Sequence, residues 1–316
     1  MLELSNASVF WLLLPVAAWS GWFLARRQSE ADNVKESSQF SPDYFRGLNY
    51  LLDEQPDKAI EVFIDMLDVE SETVETHLAL GNLFRRRGEV DRAIRIHQNL
   101  VARGTLGKEE RALALLELGL DYMRSGLLDR AESLFRELLE IKMYELRALQ
   151  QLADIYQQEQ DWDQAIATNR HLERESGRDL SQTIAHLYLE KAEELQRLGD
   201  SRAVGELIAG ALETDPNCVR ASLMRANIAQ HDERLEEAIA AYQMVEVQNS
   251  EFLQEALPHL SECYRGLSRF GELKTYLESV VERHAGITPV LLLAELAKES
   301  GDMRQAVAYL SEELKR

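Results

Sequence analysis

Residues 81–97, GNLFRRRGEVDRAIRIH, carry a pattern that recurs along this chain of 316 residues. The small residue Gly81 is followed three positions later by the aromatic Phe84 and twelve positions later by Ala93. The same skeleton is present in GLNYLLDEQPDKAIEVF, GLDYMRSGLLDRAESLF and ADIYQQEQDWDQAIATN. The small residues of the four copies are spaced by 34, 38 and 34 residues, and they are Gly47, Gly81, Gly119 and Ala153. One unit is therefore repeated.

This period, with its small, aromatic and alanine positions, is that of the tetratricopeptide repeat, which folds as two antiparallel helices. Weaker copies continue in phase, with small residues at Ala192, Ala226, Ser261 and Ala294. In the fifth copy, either Ala203 or Val204 fits the alanine position. Residues 41–316 are therefore predicted to be an all-α, right-handed solenoid of about eight helix pairs, with a concave groove lined by the first helices.

The arginines of the quoted stretch raise the alternative of a DNA-binding helix-turn-helix. The chain as a whole argues against it, because 35 Lys and Arg residues stand against 55 Asp and Glu residues, for a net charge of −20. Nucleic-acid-binding domains usually carry a positive balance. We therefore predict no nucleic-acid partner, and we interpret Arg87, Arg92 and Arg95 as solvent or inter-repeat charges.

Residues 7–25, ASVFWLLLPVAAWSGWFLA, form an uncharged stretch that covers about 28 Å as a helix, close to the thickness of a bilayer core. A cleaved signal peptide is the alternative, but it needs basic residues before the apolar run, and here Glu3 precedes it. We predict that residues 1–25 are a transmembrane anchor and residues 26–40 a polar tether. The anchor residues are Trp11, Leu12, Leu13, Leu14, Pro15, Trp19, Trp22, Arg26 and Arg27.

The arginines that follow the apolar run set the predicted orientation of this anchor. Basic residues favour the cytoplasmic side of a membrane. The chain is therefore predicted to cross the bacterial inner membrane once, with the N-terminus in the periplasm and the solenoid in the cytoplasm.

No sequence motif for catalysis or metal binding is present. The seven histidines are scattered without HExxH, and the repeat places His77 and His97 at positions of large packing side chains. Cys218 and Cys263 lie 45 residues apart without a CxxC pair, so they predict neither a zinc site nor a disulfide framework. We therefore predict a non-enzymatic chain with no catalytic residue, no metal ligand and no cofactor.

The groove is the remaining candidate site. Counting from the small residue of each repeat predicts that the first helices of repeats one to three line an apolar groove with a basic lip. Such a surface suits an acidic or mixed peptide. The alternative is that its leucines pack against the tether, neighbouring repeats or a second copy of the chain. The predicted groove residues are Tyr44, Leu48, Leu51, Leu78, Asn82, Arg85, Arg86, Leu116, Leu120, Met123 and Arg124.

Four stretches of the chain carry a resemblance to a known family, and they are MLELSNASVFWLLLPVAAWSGWFLARR, SPDYFRGLNYLLDEQPDKAIEVFIDML, THLALGNLFRRRGEVDRAIRIHQNL and LGLDYMRSGLLDRAESLF. In these stretches the chain resembles the lipopolysaccharide assembly protein B family of Gram-negative bacteria. It implies an inner-membrane protein that faces the cytoplasm, partners the FtsH protease and promotes proteolysis of LpxC, the deacetylase that commits precursor to lipid A. It also implies an antagonist, an inner-membrane lipopolysaccharide sensor.

One feature of that family is missing from this sequence, namely a C-terminal rubredoxin-type knuckle of two CxxC pairs that binds iron or zinc. We interpret the chain as a shortened form, with a naturally short member as the alternative, and no metal ligand is carried over. The leading hypothesis is an adaptor for proteolysis. The alternative is a scaffold that assembles lipopolysaccharide synthesis and transport proteins without promoting degradation.

Overall fold

The computed structural model describes residues 42–53, 55–69, 74–284 and 286–314. The predicted anchor and tether, residues 1–40, lie outside these ranges. No helix within the described ranges is long and apolar enough to cross a membrane.

Every regular element in the described part of the chain is helical, as the sequence predicts. A 3-10 turn occupies Ser250–Phe252. The sixteen α-helices of the described residues are α1 (Pro42–Leu52), α2 (Pro56–Val69), α3 (Val74–Arg86), α4 (Val90–Val101), α5 (Lys108–Ser125), α6 (Leu128–Glu140), α7 (Glu145–Gln158), α8 (Trp162–Ser176), α9 (Ser181–Leu198), α10 (Ser201–Thr214), α11 (Val219–His231), α12 (Leu235–Gln248), α13 (Leu253–Gly266), α14 (Phe270–Arg283), α15 (Ile287–Glu299) and α16 (Met303–Glu313).

The described chain divides into two compact units, one that ends at Leu134 and one that begins at Phe135, with the boundary inside α6. In the N-terminal unit, α1 packs on α2 and α3 packs on α4, while α3 also contacts α5 of the next repeat. The C-terminal unit consists of the pairs α7/α8, α9/α10, α11/α12, α13/α14 and α15/α16, and in it α9 contacts α11 and α13 contacts α15. Within each unit, first helices of neighbouring repeats therefore lie side by side.

The repeat positions predicted from sequence coincide with the buried core. All eight predicted small residues, from Gly47 to Ala294, are buried, and so is each alanine position from Ala59 to Ala306. In the fifth repeat, Val204 occupies the alanine position, because it is buried while Ala203 is only half-buried. The tetratricopeptide register is therefore confirmed.

The turns inside seven of the helix pairs, from the second repeat onward, share one backbone geometry. The first or second residue after the first helix has a left-handed φ, and the next backbone N–H donates to the carbonyl five residues earlier, as Glu89 does to Phe84 at 2.9 Å. This arrangement satisfies carbonyls that the helix end leaves unpaired. Glycine adopts a left-handed φ without a Cβ clash. The residues with this φ are Gly88, Gly126, Gln160, Gly199, Glu233, Ser268 and Gly301.

Candidate partner-binding surface

Arg85, in the last turn of α3, is the centre of a largely buried ion-pair network. Its Nη1 donates to Asp121 Oδ1 at 2.7 Å and to the backbone carbonyl of Glu117 at 3.1 Å. Its Nη2 donates to Glu117 Oε2 at 2.5 Å and to Asn82 Oδ1 at 2.7 Å. Only 19% of the Arg85 side chain is exposed. Both carboxylates lie on α5, so the guanidinium joins the first helices of two repeats.

The charge of Arg85 is secured by these partners. Burial alone would lower the pKa of Arg85, but the hydrogen bonds and charges of Glu117 and Asp121 outweigh it and raise the pKa above its ordinary value. Charge-assisted hydrogen bonds of this kind are about twice as strong as neutral ones. Arg85 therefore acts inside the fold. A partner could bind its N–H groups only if the hydrogen bonds to Glu117 and Asp121 were broken.

His97 extends the network from α4. Its Nδ1 lies 2.5 Å from Asp121 Oδ2, and both side chains are fully buried. The ring faces Gly81, where an added Cβ would lie 2.3 Å from His97 Nε2, so only glycine fits. Nε2 has no hydrogen-bond partner among the described residues. The prediction that His97 is a packing residue is confirmed, because it fills the repeat position that Phe63 fills in the first repeat.

Three of the predicted groove residues have to be corrected. Leu116 is fully buried, and Leu78 is 8% exposed because it packs with Leu100 and Ala114 of the neighbouring helices. Arg85 is taken up by Glu117 and Asp121, which come from the next repeat. These three side chains therefore do not line an accessible groove. The sequence shows only that Glu117 and Asp121 stand four residues apart on the first helix of the next repeat, which is not enough to predict the network.

The other arginines of the quoted stretch behave as predicted. Arg87 Nη1 pairs with Asp57 at 2.5 Å, across to the previous repeat, and Arg92 pairs with Glu89 at 2.7 Å. Arg95 is exposed.

Two arginines of the predicted groove remain accessible. Arg86 and Arg124 are exposed, occupy the same position in consecutive repeats and have no ion pair or hydrogen bond within the described residues. Leu120 and Met123, on the same helix as Arg124, are half-buried, as is Asn82. Because α3 and α5 are in contact, the two guanidinium groups lie on neighbouring helices. We call Asn82, Arg86, Leu120, Met123 and Arg124 the arginine surface.

An apolar stripe lies on α1 of the same unit. Phe45, Leu48 and Leu52 follow each other at i, i+3 and i+7, which places them on one face of the helix. Their exposed fractions are 53%, 38% and 75%, respectively. Tyr44 and Leu51 are half-buried and pack against the core. Phe45 was not among the predicted groove residues, although its helical spacing from Leu48 is visible in the sequence.

The described residues contain no group of three His, Cys, Asp or Glu side chains that could hold a metal ion. Cys218 and Cys263 are free thiols, and both are buried. Burial raises the pKa of Cys263 to about 11, so this thiol is protonated at neutral pH.

Models of the tetratricopeptide repeat match residues 78–145, 189–251 and 148–172. Lipopolysaccharide assembly protein B of Escherichia coli K12 is 39% identical over 100% of this chain and 80% of its own length. The chain belongs to the lipopolysaccharide assembly protein B family. The Haemophilus influenzae member of the family is 36% identical over 97% of this chain and 79% of its own length.

Solved structures include other tetratricopeptide-repeat proteins. One is the C-terminal part of a repeat protein from Cytophaga hutchinsonii, with a TM-score of 0.46 and 13% identity, covering 84% of this chain and 99% of that chain.

Proposed function

We propose that this chain is a non-enzymatic adaptor in lipopolysaccharide assembly, held at the bacterial inner membrane, that binds the FtsH protease and presents the LpxC deacetylase for proteolysis. Family membership supports the role in lipopolysaccharide assembly, because the relatives carry that name. The repeat fold supports protein–protein interaction as its means, since stacked helix pairs offer extended surfaces. An inner-membrane lipopolysaccharide sensor would oppose it.

The observation that carries the client-binding step is the pair of unpaired arginines one repeat apart. Arg86 and Arg124 form no ion pair with a carboxylate in the described fold, whereas the neighbouring Arg85 is paired with Glu117. Each free guanidinium can grip a carboxylate bidentately. Leu120 and Met123 add apolar area next to Arg124. The arginine surface therefore suits a client segment with acidic and apolar side chains.

The anchor would supply proximity. A chain tethered by residues 7–25 meets a membrane protease at a local concentration far above that in the bulk cytoplasm, so weak contacts suffice for delivery. The apolar stripe of α1 lies shortly after the tether in the chain, and we propose that it faces the membrane partner.

A charge-reversal variant tests the client-binding step. Arg86→Glu with Arg124→Glu should weaken binding of purified LpxC by about five- to thirtyfold, because two exposed ion pairs are lost and two repulsions appear. Binding is measured by fluorescence anisotropy with the full chain in detergent micelles.

The matched control is Arg95→Glu with Lys108→Glu, which makes the same change in net charge at exposed positions of the same unit. This control should bind LpxC as the parent does. If both double variants weaken binding equally, long-range charge and not the arginine surface is responsible. If neither weakens it, the arginine surface has no part in client binding.

A further inference from the structure

The C-terminal unit has a groove that is chemically unlike the arginine surface. It lies between α9, α11 and the start of α13, and its volume is about 1180 Å³. Binding sites for small molecules usually measure about 300–1,000 Å³ and are largely apolar. This groove is larger and rich in carboxamides, which belong to Gln182, Gln196, Asn217, Asn227, Gln248 and Asn249.

A buried tyrosine fixes one of these carboxamides. The Tyr242 hydroxyl donates to Asn227 Oδ1 at 2.6 Å and lies 2.8 Å from Gln230 Oε1, while Gln230 Nε2 donates to Glu262 at 3.0 Å. Tyr242 itself is fully buried. Because the oxygen of Asn227 is held by the tyrosine, its Nδ2 is left as a donor at the exposed wall of the groove.

Gln248, another of these carboxamides, is held by a backbone carbonyl. Its Nε2 donates to the backbone carbonyl of Pro216 at 2.8 Å, and its buried Oε1 has no hydrogen-bond partner among the described residues. Because Gln248 Oε1 is closed to solvent, a ligand in the groove cannot donate to it. The oriented polar group that a ligand can reach is therefore the donor of Asn227.

The charges of the groove disfavour an acidic ligand. Arg220 is occupied, since it donates to Glu190 at 2.7 Å and to Glu193 at 2.5 Å. Four carboxylates line the groove against two arginines, and Glu255 is exposed without a hydrogen bond or ion pair in the described structure.

The floor of the groove is apolar. Leu223, Met224 and Ile228 are half-buried along α11, and Phe252 is 43% exposed at the mouth. An apolar side chain of a ligand can therefore be anchored between the carboxamides.

We propose that this groove binds an extended polypeptide segment that has an apolar anchor residue and no acidic side chains. Carboxamide side chains can both donate to and accept from a peptide backbone. They reach backbone groups only in an extended segment, because a helix pairs its own N–H and C=O groups. The groove is thus a second binding site, with a charge preference opposite to that of the arginine surface, and it does not depend on which client that surface holds.

The probe for this site is a phage-displayed library of random 12-residue peptides, selected on the full chain in detergent micelles. Selected peptides should be poor in Asp and Glu, and synthetic copies should bind in fluorescence anisotropy. Asn227→Ala should weaken their binding about five- to tenfold, through the loss of one desolvated hydrogen bond. Tyr242→Phe should weaken it to a similar extent, because the phenyl ring keeps the packing while the carboxamide loses its orientation.

Further variants distinguish binding in this groove from a general effect of charge and from binding at the arginine surface. Glu255→Lys should shift selection toward acidic peptides, whereas Glu213→Lys, at a position outside the groove, should leave it unchanged. Arg86→Glu with Arg124→Glu should leave the affinity of the selected peptides unchanged. The proposal is overturned if no peptide is enriched, if Asn227→Ala has no effect on the enriched peptides, or if their binding requires Arg86 and Arg124.

Discussion

Replacing Arg85 by methionine keeps most of the volume of the side chain but removes every donor of the guanidinium. Asp121, which is fully buried, then loses its 2.7 Å ion pair and keeps only His97, and Glu117 loses a 2.5 Å ion pair while 10% of its side chain is exposed. Breaking a buried pair by removing one partner costs about 3–5 kcal/mol. Because water can reach Glu117 in part, we expect a cost near the lower end, about 3 kcal/mol.

Hydrogen exchange followed by mass spectrometry measures this loss where it occurs, since α3 and α5 carry the two sides of the network. A loss of about 3 kcal/mol corresponds to exchange roughly 150-fold faster for amides that exchange by opening of these helices. Arg86→Met is the matched control, because Arg86 is exposed and unpaired in the described structure, and it should stay within about 0.5 kcal/mol of the parent.

A double variant checks the cause. Adding Asp121→Asn to Arg85→Met removes the uncompensated charge, so the double variant should lose less stability than the sum of the two single variants. If Arg85→Met costs no more than Arg86→Met, the ion pairs of Arg85 do not hold α3 to α5 and the reasoning is refuted.

Packing, burial and the anchor each support a further prediction. Gly81→Ala should lower the free energy of unfolding by about 1–3 kcal/mol in urea titrations, because the new methyl group meets the His97 ring. Gly205→Ala, where an added Cβ meets open space, should raise the free energy of unfolding by up to about 1 kcal/mol. Cys263, with its pKa raised to about 11 by burial, should resist alkylation by iodoacetamide at about pH 8 until urea unfolds the chain, as read by mass spectrometry. An unrelated transmembrane span in place of residues 7–25 should retain the effect on LpxC turnover if the anchor only tethers; loss of the effect would show that its side chains contact a partner.

The fold was predictable from sequence because each repeat position has a steric cause that acts locally. Gly81 must be small where α3 meets α4, and its partner lies sixteen residues away at His97, inside the same repeat. The alanine position of the fifth repeat could not be assigned from sequence, since Ala203 and Val204 are both small and apolar. The structure assigns it to Val204, which is buried in the core.

The site was predictable only in part, because it depends on contacts between repeats. Counting along α3 correctly identified the end of the helix as basic, but it could not show that Glu117 and Asp121, 32 and 36 residues later, reach back to Arg85. The C-terminal groove illustrates the same limit. Asn227 directly follows Ala226, the small residue of its repeat, whereas Gln196 on α9 and Glu255 on α13 join it only through the arrangement of neighbouring repeats.

The half-life of LpxC, measured by pulse-chase in cells that lack this chain, tests the adaptor function. We predict that deletion lengthens the half-life, that the parent chain restores it, and that the Arg86→Glu with Arg124→Glu variant does not restore it although it accumulates to the same level. A half-life that is unchanged by deletion would contradict the adaptor function and favour a scaffold that assembles its partners without promoting degradation.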